Sequence, residues 1–246
     1  MLNEELQSFL WNTKQPWFKL AYKLYSAQLA GLIALNNLKI LDFGSGFGNM
    51  ANYLAENNEV YAVEPNADMI EERERENNYT QINGTIEKLK DFADNYFDVI
   101  VCHNVLEFAV TYYVEPAEIV KEFSRILKRG GVLSIIKHNK IGRIIHEIVA
   151  NNNTEEALSM FDGGDRSHNA FGKINYYEPE DLVSWGAHLE IEKILGVRIF
   201  YALQQNNDIK YEPEWLDKMF DVEMKMCDLE PYKSMAYLTH VLLRKI

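Results

Sequence analysis

A chain of 246 residues, with 47% hydrophobic and 25% charged residues, can bury one substantial core and sits near globular norms, which excludes a disordered or fibrous chain. Its 37 acidic against 25 basic residues give a formal charge of −12, which on average repels nucleic acid and anionic membranes and favours a small-molecule substrate. Only Cys102 and Cys227 are present, in neither disulfide nor metal-ligand spacing, so reduced thiols, a cytoplasmic setting and no metal are expected.

In chain order, residues 1–36 form a helical cap with no basic, apolar leader, and no run of 18 apolar residues follows, so no membrane partner is expected. Ile40 to Phe43 is a short apolar run that suits a buried parallel strand, and Val60 to Val63 is a second. A helix is predicted from Ala67 to Glu76, then strands at Tyr79 to Asn83 and Phe97 to Cys102. Ala117 to Leu127 has helical spacing and stops at Arg129-Gly130-Gly131, before a fifth strand at Val132 to Ile136. A polar, glycine-rich insertion or lid at about 151–177 interrupts the rhythm. A helix from Pro179 to about Ala187, a strand from Ile191 to Tyr201, an amphipathic helix around Glu214 to Met226 and a last strand from Ala236 to Leu243 complete the chain. Strand and crossover repeats imply an α/β fold with a seven-stranded Rossmann-like sheet, helices on both faces and one domain over 1–246.

The chemistry belongs at the carboxyl ends of the parallel strands. After the first strand, Gly44, Ser45, Gly46, Phe47 and Gly48 keep side chains clear, so a ligand can lie against backbone N–H groups at the start of a helix. Glu64, with Pro65 after it, ends the second strand where an acid accepts hydrogen bonds from ribose hydroxyls. A nucleoside is indicated. A dinucleotide fingerprint requires a third glycine where Asn49 stands, and no Tyr-x-x-x-Lys pair is evident, which disfavours a nicotinamide oxidoreductase. Asp42 beside the loop would repel a pyrophosphate but suits a ligand that carries an ammonium group.

The run Asp42-x-Gly44-x-Gly46-x-Gly48 resembles motif I of class I S-adenosylmethionine-dependent methyltransferases. The resemblance implies S-adenosylmethionine as cofactor, with the Asp42 to Gly48 loop and Glu64 around it. It also puts Thr85, where the family usually has an acid, and Ile86 at the adenine, and His103 and Asn104 beside the methionine part. "HNVLEF", "LKRGGVLSIIKHN", "GVRIF" and "LEPYKSMAYLTHV" are similar to the bacterial tRNA 5-carboxymethoxyuridine methyltransferases, which esterify a carboxylate on a wobble uridine.

Those enzymes carry a lysine-rich insertion, whereas Asp162 and Asp165 here offset Arg166 and Lys173. A small acceptor with a carboxylate or hydroxyl is therefore preferred, and tRNA is the alternative. Arg198 is the candidate anchor for an anionic substrate. His138, Tyr177 and Tyr232 are the candidate catalytic residues, needed only if the acceptor requires a base. A non-catalytic adenosylmethionine-binding regulator is the alternative of another class.

Overall fold

The computed structural model describes residues 3–163, 168–169 and 171–246. Two helices open the chain, α1 (Glu4–Thr13) and α2 (Pro16–Ala30). The Asn3 side chain accepts from the Leu6 amide at 2.9 Å and Glu4 and Glu5 occupy the first turn, which together satisfy and complement the positive end of α1. Pro16 starts α2, where its missing N–H costs nothing.

The sheet then builds by alternation: β1 (Lys39–Phe43), α3 (Asn49–Leu54), β2 (Glu59–Glu64), α4 (Ala67–Glu71), β3 (Thr80–Asn83), β4 (Phe97–His103), α5 (Pro116–Ile126) and β5 (Leu127–His138). Helices α6 (Lys140–Val149) and α7 (Thr154–Phe161) follow. A short hairpin, β6 (His168–Asn169) with β7 (Gly172–Lys173), precedes α8 (Pro179–Trp185) and β8 (Leu189–Val197). Helices α9 (Pro213–Met226) and α10 (Tyr232–Met235) lead to β9 (Leu238–Lys245).

The seven-stranded order is β3-β2-β1-β4-β5-β9-β8. The first five strands are parallel to their neighbours, and β9 enters antiparallel between β5 and β8. The order reverses between β1 and β4, so the carboxyl ends of those two strands flank the crevice where ligands bind in such sheets.

Successive residues of each strand bury on opposite faces. Ile40, Val99 and Val132 join Leu24, Leu29 and Met50 in one core, against α2 and α3, with Met219 and Trp215 of α9 packed on its margin. Leu41, Ile100 and Leu133 join Ile119, Phe123 and Leu182 in the other, against α5 and α8.

Four predicted boundaries are corrected. The helix from Ala67 ends at Glu71, five residues early, because Arg73 donates to the Ile70 carbonyl and Arg75 to the Glu71 carbonyl, satisfying the last turn. The helix before β5 ends at Ile126, and Lys128 to Gly131 already belongs to the strand. A register shift between Phe97 and Val99 and a left-handed Gly130 (φ 77°) absorb the mismatch as a bulge. The helix α8 ends at Trp185, and β8 at Val197. The latter stops because Arg198 turns left-handed (φ 58°), and the buried Glu223 carboxylate accepts the amides of Ile199, Phe200 and Tyr201 at 2.8 to 3.0 Å. The insertion carries α7 and the β6–β7 hairpin; Asp165 and Arg166, expected at the lid, lie outside the described residues.

Candidate functional site

A cavity of about 590 Å³ opens over the β1–β4 crevice. Its floor is the loop after β1. Gly44 and Ser45 donate their amides to the Val63 carbonyl at 2.8 and 3.1 Å, which ties the loop to the end of β2. Gly44 and Gly46 both adopt left-handed backbone, at φ 77° and 56°, where a side chain is strained. At Gly44 a Cβ would also fall 2.3 Å from a Val105 methyl.

Glu64 lines the cavity and is buried at 6% exposure. One carboxylate oxygen accepts the Gly46 amide at 2.8 Å and the other the Asn66 amide at 2.9 Å. Burial raises its pKa, while the two backbone donors oppose that shift.

Of the residues expected around a cofactor, Gly44, Ser45, Gly46, Glu64, Pro65, Thr85, Ile86, His103 and Asn104 all line this cavity. Asp42 and Gly48 do not. The Asp42 carboxylate is buried beneath the loop, where it accepts the Ala51 amide, and desolvation raises its pKa to about 7. Gly48 serves as the left-handed N-cap of α3, packed under the Tyr79 hydroxyl. Thr85 gives both its amide and its hydroxyl hydrogen to Glu87, which leaves the lone pairs of its oxygen free to accept.

His103 stacks edge-on to Tyr25 with centroids 5.2 Å apart, and burial lowers its pKa to about 3. Four shielded polar atoms of the wall have no protein partner among the described residues: Ser45 Oγ, His103 Nδ1, Asn104 Oδ1 and Arg198 Nε. Unsatisfied buried polar atoms in one wall call for a ligand that satisfies them.

His138, Tyr237 and Arg198 also line the cavity. His138 Nδ1 lies 2.7 Å from Glu107 Oε1, and Glu107 is only 1% exposed. With Nδ1–H donated to the carboxylate, the neutral ring presents Nε2 as its lone pair. The Tyr237 ring contacts both other residues, its centroid 6.0 Å from that of His138 and 4.9 Å from the Arg198 guanidinium carbon.

The candidates Tyr177 and Tyr232 stand outside the cavity wall. Tyr177 sits in the second core against Trp185, and burial raises its phenol well above the ordinary value. Tyr232 packs on Phe200 from the short helix α10. Tyr237, one turn and a bend further on, takes the position that a phenol was expected to fill.

Sequence reasoning missed the roof. Phe9, Trp17, Phe18, Tyr22 and Tyr25 project from α1 and α2 over the loop, and Phe9 stacks on Phe47 at 5.7 Å. The aromatic spacing in "WNTKQPWFKLAYKLY" carried that signal. Glu107 was visible only as part of "HNVLEF", since nothing in spacing pairs it with a residue 31 positions later. Among the described residues no group of three or more His, Cys, Asp or Glu could hold a metal ion, and no helix is long and apolar enough to cross a membrane.

Residues 41–135 match the family model described as "Methyltransferase domain". The tRNA 5-carboxymethoxyuridine methyltransferase of Escherichia coli (strain K12) is 24% identical over 218 residues, covering 85% of this chain and 80% of that one. Among solved structures, an S-adenosylmethionine-dependent methyltransferase from Mesorhizobium loti superposes with a TM-score of 0.53 at 15% identity, covering 89% of this chain and 96% of the other. The Haloferax volcanii complex of the Trm112 methyltransferase activator with a methyltransferase gives a TM-score of 0.60 at 11% identity, covering 100% and 97%. Residues 41–135 thus carry a methyltransferase domain, in a Rossmann-like fold that the chain shares with solved S-adenosylmethionine-dependent methyltransferases.

Proposed function

We propose that the chain methylates an oxygen of an acidic small molecule, a carboxylate held by Arg198, with S-adenosylmethionine bound over the Gly44 to Gly46 loop. One observation carries this reading: Arg198, His138 and Tyr237 share one cavity with the glycine loop and Glu64. The residues present fit the cofactor. The cavity volume lies within the range of roughly 300–1,000 Å³ typical of small-molecule sites. The shielded atoms of Ser45, His103 and Asn104 await hydrogen-bond partners, and Glu64 retains lone pairs for ribose hydroxyls.

S-adenosylmethionine, when bound, supplies an electrophilic methyl group on a sulfonium. The chain's own task is to hold an oxygen in line with that methyl. Fixing two reactants in attacking geometry contributes on the order of 7–11 kcal/mol. Arg198 supplies a planar fork of donors that matches a carboxylate, and the strained turn behind it is fixed by Glu223. A carboxylate is already nucleophilic, so His138 Nε2 serves to orient the acceptor, or to remove its proton where a hydroxyl reacts. The aromatic roof from α1 and α2 keeps water from the methyl group. Two buried thiols, Cys102 and Cys227, suit a reducing cytoplasm.

A second reading places the same carboxylate on the wobble uridine of tRNA, and the 24% identity to the E. coli enzyme over most of both chains favours it. Binding of bulk tRNA that contains carboxymethoxyuridine, measured from low to physiological salt beside methylation of metabolite fractions, separates the two. The −12 charge leads us to expect weak tRNA binding and transfer to a metabolite. Tight binding that weakens steeply with salt, with methyl ester on the tRNA, would reverse the order.

A further inference from the structure

A chain of three buried polar side chains runs behind the cavity wall to a fourth, His103, within it. Gln28 on α2 is 4% exposed, and both Ser134 on β5 and His240 on β9 are fully buried. Gln28 Nε2 donates to the Gly196 carbonyl at 3.0 Å, and Gln28 Oε1 lies 2.8 Å from His240 Nδ1. His240 Nε2 lies 2.8 Å from Ser134 Oγ, which lies 2.8 Å from His103 Nε2.

Proton counting assigns every hydrogen in this chain. The Gln28 amide cannot be reversed, since that would set its oxygen against the Gly196 carbonyl. Its oxygen is thus the acceptor, and His240 Nδ1 must donate. A neutral imidazole carries one N–H, so His240 Nε2 is a bare acceptor, which only the Ser134 hydroxyl can serve. With its single hydrogen spent, Ser134 can only accept from His103, so the proton of His103 sits on Nε2. Burial lowers the pKa of both rings, and the nearness of His103 adds to the effect at His240, in keeping with two neutral imidazoles.

We propose that Gln28, Ser134 and His240 are positioning residues that hold His103 as its Nε2–H tautomer and so present a hydrogen-bond acceptor, Nδ1, to a donor on the ligand in the cavity. His103 Nδ1 and the neighbouring Asn104 Oδ1 are both shielded acceptors without a protein partner among the described residues. Two adjacent acceptors select a cationic N–H donor, such as the ammonium of an amino-acid moiety. This rests on the reading of the cavity as an S-adenosylmethionine site. It also joins that site to α2, which carries Tyr25 of the roof one turn before Gln28.

Imidazole nitrogen shifts by long-range proton–nitrogen NMR on the full-length protein, with calorimetric titration of S-adenosylhomocysteine, test it. Wild-type His103 should show a protonated Nε2 and a bare, pyridine-type Nδ1 that shifts upon ligand binding. Ser134→Ala should leave His103 averaging between tautomers and weaken ligand binding about three- to ten-fold, as for loss of one neutral hydrogen bond. Ser134→Thr, which restores the hydroxyl, should recover both. A wild-type Nδ1–H tautomer, or a Ser134→Ala protein with wild-type tautomer and affinity, would overturn the relay. Failure of the wild type to bind S-adenosylhomocysteine would instead overturn the cofactor reading and the ligand half of the inference with it, and the tautomer measurement would still decide the relay.

Discussion

Glu64 accepts the Gly46 amide at 2.8 Å, so the acid that ends β2 also holds the glycine loop that ends β1. Its second oxygen accepts the Asn66 amide at the N-cap of α4. Truncation therefore frees two backbone donors at once and, on the proposed reading, removes the ribose acceptor. Glu64→Ala is expected to weaken S-adenosylhomocysteine binding at least ten-fold, since a hydrogen bond to a charged group contributes roughly 1.5–3 kcal/mol. Calorimetry on the variant checks this, and wild-type affinity would remove Glu64 from the site.

The glycine loop offers a matched pair of substitutions. Gly46→Val forces a branched side chain into left-handed backbone, and its Cβ would lie 3.2 Å from the Met69 methyl under the ligand's path. Gly130→Ala meets the same kind of backbone strain at the β5 bulge, with nothing within 4 Å of its Cβ. We expect Gly46→Val to abolish ligand binding in a folded protein, and Gly130→Ala to lower the melting temperature without changing affinity. Equal effects on affinity would mean that the loop acts only through stability.

Asp42 makes stability depend on pH in an unusual sense. Its folded pKa is about 7 against an ordinary 3.8, so between those values the folded chain keeps a proton that the unfolded chain has released. Stability from this group is thus greatest at low pH, falls as pH rises from about 4 to 7, and the loss is complete above that. The full effect is on the order of a few kcal/mol. Asp42→Asn escapes it. Thermal melts should show the variant more stable than the parent at pH 8, with the advantage shrinking toward pH 4.5; a constant difference would contradict the assignment.

Much of this site was legible in the sequence because it depends on chain-local geometry. Gly44, Gly46 and Glu64 sit at strand ends that periodicity locates, and the loop chemistry then follows. Asp42 lies on β1 as expected, but its carboxyl sits outside the cavity wall and accepts an amide of α3, which alternation along a strand does not reveal. Tyr237 in place of Tyr232, and Glu107 behind His138, arise from pairings between β5, β9 and the segment after β4. The first depends on β9 entering antiparallel beside β5, and the second on β4 and β5 lying parallel and adjacent. The helix that stops at Ile126 was overrun because glycine reads as a stop signal, whereas here Gly130 shapes a bulge within the strand.

Glu107 should matter through the orientation of His138. Glu107→Gln keeps the shape but removes the charge that fixes Nδ1–H, so we expect turnover of an acceptor that needs deprotonation to fall ten- to a hundred-fold with KM little changed. A carboxylate acceptor should lose far less. Steady-state kinetics on both acceptor types distinguishes these outcomes, and identical losses on the two would argue that Glu107 is purely structural.

Methyl transfer to a carboxylate anchored by Arg198 leaves a methyl ester, which mild alkali cleaves. Radiolabelled S-adenosylmethionine should be incubated with the wild type and Arg198→Ala in the presence of fractionated metabolites and tRNA, and the product challenged with mild alkali. We expect label that alkali releases, formed by the wild type and reduced at least ten-fold in Arg198→Ala while S-adenosylhomocysteine affinity is retained. Alkali-stable label, or ester formation undiminished in Arg198→Ala, would contradict it.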